Sequence, residues 1–287
     1  MCIAVFLWQS HRIYPFILLL NRDEYLSRPT KPLAWWEDGE IVGGRDTVAG
    51  GTWLACTKHG RLAFLTNFRE LRCIPDAKSR GDLPVRFLHS KKNPKEFAEN
   101  IVKEADQYNG FNLILADLCS KTMVYITNRP KENGKVMTEV SPGIHVLSNS
   151  NLDAPWPKEW TFHGKRNGQV EYTINQTAHA ERLRHNFKEV LDKYGESELP
   201  IKVMVEKLMR DTTKDEESEL PHIYPPVLEY HLSSIFVDVN RPLGRYSTRS
   251  TSALYMKWSG ETWFYEKYVE KDLWKEQTLT YQIKEME

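Results

Sequence analysis

The sequence predicts an α+β chain, with two antiparallel β-sheets faced by helices in one domain spanning residues 1–287. Three observations carry this. Apolar runs of strand length come in pairs joined by turn residues. Helical patterning is confined to the middle of the chain. Strand–helix–strand alternation, the mark of a parallel doubly wound sheet, is scarce.

The elements follow in chain order. Residues 2–8 and 16–20 are apolar runs whose polar connection ends at Pro15, which reads as a first hairpin. Residues 53–56 and 62–65 flank Lys58-His59-Gly60, a second hairpin signal. Gly43-Gly44 and Gly50-Gly51 mark tight turns or close backbone approaches. Trp35-Trp36, in a proline-bounded loop, fits either a ligand-facing lid or a core plug; a fully exposed pair would leave a costly apolar patch. Asn93 reads as a helix N-cap with Pro94 at the first helical position. Phe97, Ile101, Ala105 and Tyr108 continue the apolar spacing, and Gly110 ends it.

Residues 111–116 and 123–127 form the next strand pair, with short strands at 136–140 and 144–147. A helix from about 178 to 194 carries the stripe Leu183, Phe187, Val190 and Leu191 and stops at Gly195. Another covers 201–209. Residues 211–226 are polar, acidic and proline-terminated, which predicts a mobile surface loop. Strands return at 235–237, 253–258, 262–265 and 278–283, with Ser259-Gly260 as a turn.

Composition narrows the function classes. Lys+Arg and Asp+Glu are both 39, so the balanced charge gives no support to a nucleic-acid partner. The four cysteines Cys2, Cys56, Cys73 and Cys119 are scattered and form no C-x-x-C pair, which argues against a structural zinc site. The nine histidines are dispersed, none at metal or heme-attachment spacing, so no motif marks a heme site, and hydrolysis by a thiol requires no cofactor. The N-terminus lacks signal- and transit-peptide patterning, and no apolar run approaches the ~20 residues that span a bilayer. A cytoplasmic protein without a transmembrane segment is the expectation.

Cys2 follows the initiator methionine at the head of the first strand. Removal of Met1 would give one residue both a thiol and a free α-amine, whose reference pKa of ~7.7–8.0 lets it serve as the thiol's own base. A small buried apolar residue is the other role that fits, since free cysteines usually sit in cores. Asn21-Arg22-Asp23-Glu24 follows the second strand without a break, so hairpin pairing would bring it beside Cys2. An arginine there lowers a thiol's pKa, and a carboxylate there orients an amine.

These residues carry a resemblance. Met1-Cys2-Ile3, Asn21-Arg22-Asp23-Glu24, Gly50-Gly51-Thr52-Trp53-Leu54 and Leu65-Thr66-Asn67 resemble the NRDE family, named for its tetrapeptide. Within that family the likeness is to the transport and Golgi organization 2 group. Tyr108-Asn109-Gly110-Phe111-Asn112, Leu147-Ser148-Asn149, Pro155-Trp156 and Thr248-Arg249-Ser250 extend it through most of the chain. The resemblance implies an N-terminal-nucleophile hydrolase-like fold, a four-layer αββα sandwich. It also implies a distant likeness to cholylglycine hydrolases and penicillin V acylases, which cut amide bonds with an N-terminal cysteine.

By the same resemblance Cys2 is the nucleophile, Arg22 the arginine beside it and Asp23 the carboxylate that holds the amine. Asn67 and Asn149 match oxyanion-hole asparagines, and Arg249 the late active-site arginine. Those hydrolases space arginine and aspartate with two residues between, whereas here they are adjacent and Glu24 follows, so Glu24 competes with Asp23 for the orienting role. The family further implies roles in Golgi organisation and secretion and in lipid (acyl-coenzyme A) or heme homeostasis, at the cytosol, Golgi or mitochondria. Implied ligands are small and amphipathic, heme or an acyl coenzyme A thioester, held either for turnover or by a non-catalytic carrier. A secretory-pathway protein partner is the third implication.

Overall fold

A computed structural model of the chain describes residues 2–71, 73–129, 137–154, 162–166, 169–172, 177–221 and 223–283. One seven-stranded sheet runs in the order β10 (Gly143–Leu147), β1 (Cys2–Trp8), β2 (Phe16–Tyr25), β14 (Gly244–Met256), β15 (Glu261–Glu270) and β16 (Leu273–Gln282), with β13 (Asp238–Arg241) also paired to β14. The other runs β3 (Thr30–Trp35), β4 (Ile41–Asp46), β5 (Leu54–Thr57), β6 (Arg61–Asn67), β7 (Phe111–Asp117), β8 (Thr122–Thr127) and β9 (Met137–Glu139). Neighbouring strands are antiparallel throughout both sheets. A separate two-stranded ribbon joins β11 (Phe162–Arg166) to β12 (Gln169–Tyr172).

Strand periodicity explains the layering. Successive side chains point to opposite faces. In β1, Ala4, Phe6 and Trp8 enter the core between the sheets, while Ile3, Val5 and Leu7 enter a second core. That second core is closed by α3 (Ala178–Tyr194) and α4 (Ile201–Leu208) through Leu183, Phe187, Met204 and Val205. β1 is therefore buried on both faces, which is why it reads as an unbroken apolar run. A third core packs α1 (Asp82–His89) and α2 (Pro94–Glu104) on the outer face of the other sheet through Leu83, Phe87, Phe97 and Ile101. Three cores between four layers make the αββα sandwich. Phe6 and Phe64 bridge the sheets edge to face, with centroids 5.4 Å apart.

Several predicted elements stand where the sequence puts them. The Asn93 cap is a full capping box with Glu96, and α3 ends at Gly195, whose φ of 55° suits glycine. Others differ. Residues 235–237 are not a strand. The Ile235 carbonyl accepts from Asn21 Nδ2 at 2.9 Å and the Val237 N–H donates to Thr248 Oγ1 at 2.9 Å, so side chains meet these backbone groups and the ladder begins at Asp238. α1 is not foreseen because its N-cap, Gly81, makes no side-chain cap bond. β3 and β4 escape because one carries Pro32 and a bulge and the other two glycines. Trp35 closes β3, half-exposed. Trp36 is buried, donates from Nε1 to the Gly43 carbonyl at 3.1 Å and lies under Arg45, so it plugs the core.

In segment 211–226, Asp215 is buried against His179 Nδ1 at 2.7 Å, Asp211 pairs with Arg182 at 2.9 Å, and Leu220 is buried; α5 (Pro226–His231) follows. Val136 and the Pro155-Trp156 motif lie outside the described residues. Among the described residues, no helix is long and apolar enough to cross a membrane.

Candidate active site at the head of the first strand

The first hairpin places Cys2 directly opposite Arg22 in the ladder, on the face that looks between the sheets. Arg22 is held there firmly. Its guanidinium lies over the Trp53 ring at 4.0 Å, its Nη1 donates to Thr30 Oγ1 at 3.0 Å, and its Nη2 lies 3.5 Å from Asp46. Asp46 also accepts from Arg28 at 2.5 Å and from the N–H groups of Val48 and Ala49. These bonds outweigh its burial and hold its carboxyl below the usual range.

Asp23, one residue on, points the other way. It is buried, and its Oδ1 accepts from Thr248 Oγ1 at 2.6 Å. Burial pushes its carboxyl up to about 6, against the nearby amino-terminal charge and the Thr248 bond. Glu24 turns aside: its Oε1 accepts from the Tyr25 N–H and its Oε2 faces Arg28 at 3.9 Å. Asn21, first of the four, is structural. Its Nδ2 donates to the Met209 and Ile235 carbonyls at 2.7 and 2.9 Å, and its Oδ1 accepts from Thr251.

A cleft of about 280 Å³ opens here, lined by Cys2, Arg22, Asp23, Asn67, Trp53 and Arg80 among others. Burial raises the Cys2 thiol, while the amino-terminal charge and Arg22 pull it down. Two glycine contacts shape the wall. A Cβ on Gly51 would lie 2.5 Å from the Gly81 backbone, and one on Gly44 would strike the Trp53 ring at 2.3 Å. The Thr52 N–H donates to the Gly81 carbonyl at 3.0 Å, which brings loop 77–81 and Arg80 over the cleft. Arg80 carries no motif in the sequence and was not anticipated.

The expected asparagines are placed as follows. Asn67, last residue of β6, lines the cleft. Asn149 stands behind it, with Nδ2 donating to the Asn67 carbonyl at 2.6 Å and its buried Oδ1 unpartnered. A polar network missed by sequence reasoning anchors this corner. Tyr125 Oη donates to Asn112 Oδ1 at 2.7 Å, and Asn112 Nδ2 donates to the Ser150 carbonyl at 2.9 Å. Thr66 Oγ1 donates to the Ser148 carbonyl at 2.5 Å, and Ser148 Oγ to the Cys2 carbonyl at 3.3 Å. Asn112 sits inside a recognisable motif, which was the available signal. Arg249 lies at a bulge in the β14–β2 pairing, and its Nη1 donates to the carbonyls of Tyr25 and Arg28 at 3.2 and 2.5 Å. It faces a neighbouring cavity rather than the Cys2 cleft.

Fold and site together define an αββα-sandwich protein whose first core strand begins with a thiol at the mouth of a polar cleft. The chain belongs to the family described as Transport and Golgi organisation 2, whose model matches residues 1–271. Similar proteins include the Transport and Golgi organization 2 homolog of Mus musculus, 31% identical over 302 residues, and that of Homo sapiens, 31% identical over 305 residues. Each alignment covers 99% of this chain and 99% of the relative. Among solved structures, a variant of conjugated bile acid hydrolase from Clostridium perfringens is similar with a TM-score of 0.48 and 11% identity, over 97% of this chain and 96% of that one.

Proposed function

We propose that the Cys2 cleft is a nucleophile site for an amide or thioester of a small amphipathic acyl ligand, competent once Met1 is removed. The observation that carries this reading is the register of Cys2 against Arg22, with the thiol, Asp23 and Asn67 lining one cleft. The neutral Cys2 amine takes the thiol proton, and the thiolate attacks the carbonyl carbon. Arg22 favours the thiolate and Asp23 orients the amine; Glu24, turned toward Arg28, is less suited. Asn67 donates to the oxyanion from a position that Asn149 fixes through the Asn67 carbonyl. The intermediate collapses as the ammonium returns its proton to the leaving amine or thiol, and water then releases the acyl group.

In the cell, the family points this chemistry toward Golgi organisation and secretion, with lipid (acyl-coenzyme A) or heme homeostasis as the biochemical setting, in cytoplasm or at the Golgi or mitochondria. A second reading is a non-catalytic carrier of heme or an acyl thioester in the same cleft. It is favoured by the burial that raises the thiol while Met1 remains. The test is intact mass of the native protein, followed by acyl-amide and acyl-thioester turnover by the processed form and by Cys2→Ala. Retained Met1 overturns the nucleophile reading. Ligand binding that survives Cys2→Ala without any turnover in the parent selects the carrier.

A further inference from the structure

Beside the Cys2 cleft lies a second cavity of about 460 Å³, and Arg28 and Trp53 line both. Its apolar wall includes Leu26, Pro32 and Val269. Arg249 also lines it, and only 8% of that residue is exposed. Two backbone carbonyls occupy its Nη1, and it enters no ion pair among the described residues. Glu24, Asp46 and Glu266 act on it from beyond ion-pair distance, and each has a nearer partner. Glu266 accepts from the Leu33 N–H at 2.6 Å, Glu270 pairs with Lys275, and Asp272 is exposed in the β15–β16 turn.

A guanidinium nine-tenths buried with no carboxylate in ion-pair contact is costly, because burial removes its hydration without a close opposite charge in return. Burial and then the charge of Arg22 hold Arg249 down to about 10, against the opposing pull of Glu24, Glu266 and Asp46.

We infer that the Arg249 cavity is an anion subsite, receiving a phosphate or carboxylate carried by the organic ligand whose reactive group sits at Cys2. Arg249 provides the planar fork that matches either oxyanion, and Leu26, Pro32 and Trp53 hold the adjoining apolar part. Arg249 is thus a specificity residue that selects anionic over neutral ligands. This rests on the Cys2 cleft being a ligand site, but anion binding is measurable without turnover.

The test is calorimetric titration of the full chain with phenyl phosphate, inorganic phosphate and phenol, in wild type, Cys2→Ala and Arg249→Gln. Phenyl phosphate is expected to bind wild type and Cys2→Ala alike, roughly tenfold or more tighter than phenol, with inorganic phosphate in between. Arg249→Gln is expected to lose roughly tenfold or more for phenyl phosphate only. Should Arg249→Gln fail to fold, phenylglyoxal modification of wild-type Arg249, mapped by peptide mass, is expected to slow in phenyl phosphate. Unchanged binding in a folded Arg249→Gln, phenol binding as tightly as phenyl phosphate, or unprotected Arg249 overturns the subsite. Failed turnover with intact anion binding overturns only the nucleophile reading.

Discussion

Cys2 and Arg22 are cross-strand partners in the β1–β2 ladder, and Trp53, at the entry to β5 of the opposite sheet, holds Arg22 in place at 4.0 Å. The thiol's neighbourhood is thus set by two sheets at once, one supplying the cation and the other its aromatic support.

Arg22→Gln removes a cation that stabilises the thiolate. The Cys2 thiol, already raised by burial, moves further up. Alkylation of Cys2 by iodoacetamide across pH should shift to more alkaline values. Stability should drop by about 1–2 kcal/mol through loss of the ring contact and the Thr30 bond. An alkylation profile superimposable on wild type would remove Arg22 from any role at the thiol.

Asp23 gives a pH signature of unusual sign. Its folded pKa of about 6 lies above the ordinary 3.8, so the folded state binds the proton more tightly. Its contribution is fully present below about pH 4 and is lost as pH rises through 6. Asp23→Asn keeps an acceptor for Thr248 and should remove this dependence, gaining up to about 3 kcal/mol relative to wild type above pH 6. Urea unfolding at pH 4 and pH 7 measures it, and equal pH sensitivity in both proteins would contradict the assignment. The same substitution should abolish turnover by the processed form.

Gly51→Ala tests the cleft wall. The new Cβ meets Gly81 backbone, which has no flexible end to yield. A loss of about 1–3 kcal/mol follows from overpacking. Displacement of loop 77–81 should accompany it, read as faster amide exchange at Thr52, whose N–H bonds Gly81.

Asn112→Ala removes the hub between Tyr125, Thr66 and the Ser150 carbonyl. Leaving those buried groups unpaired should cost about 2–4 kcal/mol. Asn112→Asp, which keeps only the acceptor side, should not restore it. Thermal melts of both variants decide the point.

The local elements were readable because each depends on neighbours in sequence. The first hairpin, the Asn93 cap and the Gly195 stop each rest on a period, a cap or a turn, and the NRDE tetrapeptide could be placed beside Cys2 from hairpin pairing alone. The sequence by itself therefore determined the α+β class, the family, and the nearness of the Asn21–Glu24 cluster to Cys2, while the register that sets Arg22 opposite Cys2 came from the structure. Contacts between distant segments decided the rest. Asp23 is separated from Glu24 by burial against Thr248, 225 positions away, and two adjacent carboxylates in a sequence carry no mark of that difference. Arg80 reaches the cleft because Gly51 and Gly81 let two backbones touch. Arg249 matches a site motif, yet the bulge in β14 turns it into the next cavity. Only the tertiary structure fixes where a side chain points once sheet twist, bulges and close backbone contacts override strand periodicity.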